Sequence, residues 1–344
     1  EPHPQWTVAG AVQALAALAA RHRADLGDGA YVVCSEPLWL CALLHSARGG
    51  KRLLVRAQMC LLLDFGHVFA DGELPELWPH VRRMTDGLGA RGALSANTRL
   101  TAEMLAVQTG VRPPYAPALA LHVASAATYA PTPGVRDVLL FRVALPAAAT
   151  FLQVLQRLAA LEPRAPPLRE MEGAPLAYSE IAAFRAVVLL PHVPHALRLA
   201  DIHAMACPVL VPAQPLLHKF MWPYAGPYCG RSAPAIVRSV DPGRKNRSRQ
   251  PPPFSPFEFQ GEELRPDKFH DDRRYWAQFT EWELRPGLLR FRSAPELLLR
   301  ADLAVDEARA ASARLRASHE AMVAEVLPYW RAVVNALESQ AREA

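Results

Sequence analysis

The chain of 344 residues is 51% hydrophobic and 21% charged, which excludes a disordered or fibrous protein and allows two globular domains. A net charge of +5, much of it in Arg244, Lys245, Arg247 and Arg249, admits phosphate-bearing ligands but not the charge field of a nucleic-acid packaging protein, so no nucleic-acid partner is expected. No apolar run approaches the ~20 residues of a membrane-spanning helix.

Apolar periodicity predicts a helix over residues 8–23, a strand over 30–34 and a helix over 38–48. A second apolar strand falls within 51–63, a helix over 75–85, a short strand over 92–95 and a helix over 98–109. Short strands separated by helices of ten or more residues imply a parallel sheet covered on both faces. Ligands in such sheets sit beyond the carboxyl ends of the strands. That rule selects Ser35 and Glu36 after one strand, Asp64 after another, and Asn97 with Thr98 after a third.

The segment Thr128-Tyr129-Ala130-Pro131-Thr132-Pro133-Gly134 cannot continue a helix or a central strand and is expected to link two domains, 1–130 and 131–304. The alternation then restarts, with a strand over 137–143, helices over 150–161 and 178–185, a strand over 186–190, a helix over 195–206 and a strand over 208–211. Residues 232–272 turn basic and proline-rich and are expected to form a mobile insertion too polar to pack. Aromatic residues over 275–282, a strand over 288–291 and a helical tail over 305–344 complete the chain. The fold class expected is α/β, with two Rossmann-like doubly wound domains facing across a cleft.

The five cysteines (Cys34, Cys41, Cys60, Cys207, Cys229) form no CxxC pair and no zinc-binding spacing, so no structural metal is expected. Cys34, Cys41 and Cys60 lie in apolar stretches and read as small buried hydrophobes. No Walker motif, no GxGxxG and no GxSxG elbow is present. A sequon, Asn246-Arg247-Ser248, lies in the polar stretch. Since the chain opens on Glu1, a leader or membrane anchor outside the sequence stays open, and a secretory-lumen, Golgi location is the expectation if one was removed.

The richest stretch runs from Ala186 to Pro212. An apolar strand, a polar turn and a helix ending in small residues lead into a second apolar strand, and free amides at such a helix start favour an anion. The phrase His203-Ala204-Met205-Ala206-Cys207-Pro208-Val209-Leu210-Val211-Pro212 resembles the donor-binding half of glycosyltransferases with the two-domain GT-B fold. Arg198-Leu199 and Cys207-Pro208-Val209-Leu210 are similar to the helix start and following strand of exostosin-type transferases. The strand and helix over 288–298 resemble those that close many such domains. Two departures stand out: many of these enzymes carry two glutamates with seven residues between them here, whereas this chain has His195 and His203, and Cys207 stands where the family has a glycine.

The resemblance implies a nucleotide-sugar as co-substrate rather than a bound cofactor, a glycan or protein acceptor, and transfer of the sugar between them. With no DxD pair at a strand end, metal-independent chemistry is expected. On the donor side, Arg198 is a candidate for the diphosphate and Asp201 for a ribose hydroxyl, although the same spacing fits a solvent-facing charge pair. His192, His195 and His203 crowd around the same turn, and Arg142 follows the domain's first strand where the family often has a basic residue. His218, Lys219 and Tyr228 belong to an aromatic, proline-rich loop suited to stacking on a base or a sugar, or to plugging a core. The expected catalytic base is Glu36, or failing it Asp64. A non-catalytic module of the same fold, binding a glycan or a partner, is the alternative that the missing glutamates favour.

Overall fold

The computed structural model describes residues 6–22, 31–48, 53–58, 61–62, 65–89, 93–141, 146–171, 175–191, 197–214, 216–221, 240–244 and 274–343. The protein is α/β, with two parallel, Rossmann-like sheets of three and five strands. They belong to two compact units. The first comprises Glu1–Pro117, Ala225–Asp272 and Val326–Ala344, and the second Ala118–Tyr224 and Arg273–Glu325.

In the first unit, α1 (Val8–Arg21) leads to β1 (Val32–Cys34), α2 (Leu38–Ala47) and β2 (Leu53–Ala57). After the short α3 (Phe65–Val68) come α4 (Leu74–Gly89), β3 (Leu94–Ala96) and α5 (Arg99–Thr109). The sheet order is β1-β2-β3, with Val33 opposite Leu54 and Val55 opposite Leu94. Alternation along β2 sends Leu53, Val55 and Ala57 into the core, where Trp39, Phe65 and Phe69 meet edge-on or stacked at 4.7–6.0 Å between ring centroids. α5 starts where Thr98 caps it, its hydroxyl accepting from the Thr101 amide at 3.0 Å, and stops at Gly110 in the left-handed conformation (φ 69°).

The second unit contains α6 (Leu121–Ala126), β4 (Val138–Phe141), α7 (Pro146–Leu161), β5 (Leu168–Glu170), α8 (Tyr178–Ala182), β6 (Ala186–Leu189), α9 (Leu197–Ala204), β7 (Val209–Pro212) and α10 (Leu216–Met221). It continues with α11 (Glu281–Leu284), β8 (Leu289–Phe291), α12 (Ala294–Ala301) and the start of α13 (Val305–Glu343). The order β5-β4-β6-β7-β8 is that of a doubly wound sheet, reversing direction between β4 and β6. Central strands β4, β6 and β7 are buried throughout, as parallel strands covered on both faces must be.

How α9 ends follows from its last residues. The Cys207 amide donates to the Ile202 carbonyl at 3.2 Å and the Ala206 amide to the His203 carbonyl at 3.0 Å, with Ala206 at φ 57°. This is a Schellman closure. Alanine here takes the left-handed conformation usually given to glycine, and Cys207 is already beyond the turn.

Four expectations differ from what is observed. Residues 128–134, expected as a linker, are laced into the second unit: the Tyr129 amide donates to the Met205 carbonyl, the Ala130 amide to the Ala182 carbonyl, and the Tyr129 hydroxyl to the Arg185 carbonyl at 2.8 Å. Of the basic stretch over 232–272 only residues 240–244 are described, the rest lying outside the described residues, and these five pack with the first unit. Asp241 is buried, its amide donates to the Gln108 carbonyl, and its carboxylate takes 2.9 Å hydrogen bonds from Arg82 and the Gly243 amide. Cys34 and Cys41 are not free thiols but a disulfide. Lastly, β5 has no counterpart among the predicted elements.

Candidate functional site

In a doubly wound sheet the crevice for a ligand opens where the strand order reverses, outside the carboxyl ends of the two diverging strands. Here those ends are Phe141 of β4 and Leu189 of β6. Arg142, directly after β4, and His192 and His195, between β6 and α9, lie outside the described residues. Arg198, in the first turn of α9, holds its guanidinium 5.7 Å from the centre of the Phe141 ring and pairs with Asp201 at 3.4 Å. Asp201 also accepts from the Tyr178 hydroxyl at 3.4 Å, and the Tyr178 ring meets His122 edge-on at 6.2 Å.

These four side chains form one polar group on α6, α8 and α9. The Asp201 carboxyl sits above the ordinary carboxylate range because burial outweighs the opposing pull of Arg198, His122 and the Tyr178 hydroxyl. A half-exposed guanidinium held over an aromatic ring presents donors to an anion, and the carboxyl beside it is an acceptor for hydroxyls. The group is equally complete as an ion pair on a helix surface.

His203 lies elsewhere. It is 0% exposed, its Nε2 is 3.2 Å from the Ser318 hydroxyl, and its ring is 5.9 Å from that of His319, which bonds to the Leu119 carbonyl at 2.7 Å. Burial first, then Arg285 and His319, push the imidazole down to about 3. It is therefore neutral, and protonating it in place is unfavourable. Because its folded value lies below the free value, its contribution to stability is complete above about pH 6.5 and is lost as the pH falls from there toward 3. Acid titration of the melting temperature should show this loss, and His203→Gln should flatten it.

The remaining candidates are scattered. His218 and Lys219 fall on α10 with side chains outside the described residues, and Tyr228 and Asp64 are outside them altogether. In the first unit, Asn97 follows β3 and is buried, its amide donating to the Ala57 carbonyl at 2.9 Å and its Oδ1 without a partner among the described residues. Glu36 occupies the bend from β1 to α2 and is exposed, and partial desolvation by the protein beside it raises its carboxyl above the usual carboxylate range. Among the described residues, no group of three His, Cys, Asp or Glu is placed to hold a metal ion, and no helix is long and apolar enough to cross a membrane.

Sequence reasoning missed His122 and Tyr178, and also the buried pair of Glu281 and Arg285. The pair carried a signal, an acid and a base four residues apart on one helical face. Its burial carried none. No family model, no curated protein and no solved structure matches the chain.

Proposed function

We propose that the protein is a glycosyltransferase that transfers a sugar from a nucleotide-sugar donor to a glycan or protein acceptor. One observation carries this reading: residues 186–212, the segment resembling donor-binding domains, form β6-α9-β7, which leads away from the reversal point of a doubly wound parallel sheet. On this reading Arg198 binds the diphosphate, Asp201 accepts from a hydroxyl of the donor, and Tyr178 and His122 support Asp201. Glu36 accepts the proton of the acceptor hydroxyl. The Cys34–Cys41 disulfide supports an oxidising compartment such as the secretory lumen, where such bonds persist.

A nucleoside diphosphate at ~100 times its dissociation constant should stabilise the protein by about 2.7 kcal/mol, and Arg198→Ala should abolish most of that gain. A thermal-shift screen with nucleoside diphosphates and their sugars measures it. No shift with any of them would favour the second reading, a non-catalytic module that binds a glycan or a partner. The burial of His203 supports that reading, since a side chain with no exposed surface cannot take the role of the family's second glutamate.

A further inference from the structure

The turn that carries Glu36 is weakly held by its backbone. α2 has Pro37 at its N-cap, a residue with no side-chain oxygen, and the amides of Leu40 and Cys41 both turn back to the single Pro37 carbonyl. β1 is no firmer. It is three residues long, among the described residues lies at the sheet edge and pairs with β2 alone, and leaves Val33 68% exposed.

The disulfide compensates on both sides. Cys34 is the last residue of β1, and Cys41, seven positions on, lies in the first turn of α2. Cys41 is fully buried, in a core that includes Leu38, Trp39 and Leu43. The bond thus fastens the strand end and the turn Ser35-Glu36-Pro37 to the packed interior of the first unit. Without it the turn would hang between an exposed edge and an uncapped helix.

We propose that Cys34 and Cys41 are positioning residues for Glu36, their disulfide holding the carboxyl where it accepts a proton and its reduction by a dithiol lowering turnover in the folded protein. The proposal rests on the assignment of Glu36 as base. Cys34 is only half-buried, so its sulfur is the one open to attack. A thiolate of the reductant bonds to the Cys34 sulfur as the S–S bond breaks, and Cys41 leaves as thiolate and takes up a proton. The second thiol of the reductant then attacks its own sulfur in the mixed disulfide and releases Cys34 as a thiol. Two electrons pass to the protein, and the reductant ends as a cyclic disulfide.

The test compares oxidised, dithiothreitol-reduced and reoxidised protein with the Cys34→Ser/Cys41→Ser variant. Turnover of the donor sugar, the pH–rate profile, melting with a nucleoside diphosphate, and amide exchange at Leu40 and Cys41 are measured. Reduction should lower kcat about tenfold or more, as a misplaced catalytic group does, while KM and the nucleotide-dependent melting shift stay unchanged. The two amides should exchange faster, and reoxidation should restore both. The acid limb of the profile should move to lower pH, because Glu36, now lifted by its shielding, regains water. The double variant should behave as the reduced protein whatever the redox state.

Global unfolding on reduction overturns the proposal. So does a lowered kcat with an unmoved acid limb, which is what a merely structural bond would give. Loss of activity in Glu36→Gln, with oxidised and reduced wild type equally active, overturns the clamp alone. Normal turnover of Glu36→Gln overturns the base assignment, and the clamp's role with it.

Discussion

Glu281→Ala should destabilise the second unit by about 3–5 kcal/mol, a large loss for one surface-distant carboxylate. The side chains of Glu281 and Arg285 are 4% and 1% exposed, and the guanidinium reaches the carboxylate through Nη2 at 2.8 Å and Nε at 3.2 Å. Arg285 also donates to the Ala118 carbonyl at 3.3 Å. Removing the carboxylate leaves a permanently charged group in a place that water does not reach, and arginine cannot escape by losing its proton. The pair as a whole is another matter, since taking both charges out of water offsets most of what their attraction returns. Glu281→Leu combined with Arg285→Met should therefore recover most of the loss, less about 1 kcal/mol for the Ala118 carbonyl left without its donor. Urea denaturation of the single and double variants checks this. A single variant as stable as the wild type would mean that Arg285 finds another partner or reaches solvent.

Glu36→Gln should lower turnover by ~10²–10⁴-fold while leaving the nucleotide-dependent melting shift intact. An acceptor hydroxyl is a poor nucleophile until its proton has somewhere to go. Glutamine keeps the shape of glutamate and removes only the basicity. The wild-type rate should also fall toward acid, with a midpoint above the ordinary carboxylate range because the Glu36 carboxyl is lifted by its shielding, and that limb should vanish in the variant. Initial rates of sugar transfer across pH, paired with melting curves, separate loss of chemistry from loss of binding. If Glu36→Gln turns over normally, Asp64→Asn is the next variant to make. If it abolishes the melting shift, Glu36 binds the donor rather than activating the acceptor.

How much of this was legible depends on whether a signal is local. The unit β6-α9-β7 was readable because residues 186–190 and 208–211 are apolar without a break and the helix between them is amphipathic, the pattern of a strand-helix-strand unit in a parallel sheet. β5 was not. It has three residues, two of them Arg169 and Glu170, and exists because β4 offers it a free edge at Val138 to Leu140. Asp241 shows the same limit over a greater distance, since its neighbours in sequence are basic and proline-rich while its partner Arg82 is 159 residues away. The disulfide was hidden because a spacing of seven matches no metal or redox motif, and both cysteines sit among apolar residues that a buried thiol would also choose.

For the candidate site the same rule applied at finer grain. Arg198 and Asp201 were found because they share a helix whose place at the sheet edge could be inferred. Tyr178 and His122 come from other elements, and no periodicity announces that they converge on Asp201. His203 was grouped with His192 and His195 because they lie close together in sequence. His203 lies near the end of α9 and faces the interior, whereas His192 and His195 lie outside the described residues.

The first unit is stitched from three distant stretches of chain, and Val333 and Leu337, near the end of α13, sit in the same buried cluster as Trp39, Val55 and Phe69. A ribosome delivers that cluster out of order. At ~5–20 residues per second, the N-terminal strands and helices emerge on the order of ten seconds before the side chains that close their core. During that interval, in which the second unit is also synthesised, the nascent first unit offers chaperones an incomplete apolar interior. Translation speed over the codons for residues 225–337, a property of codons rather than of contacts, should therefore affect how long this core stays open.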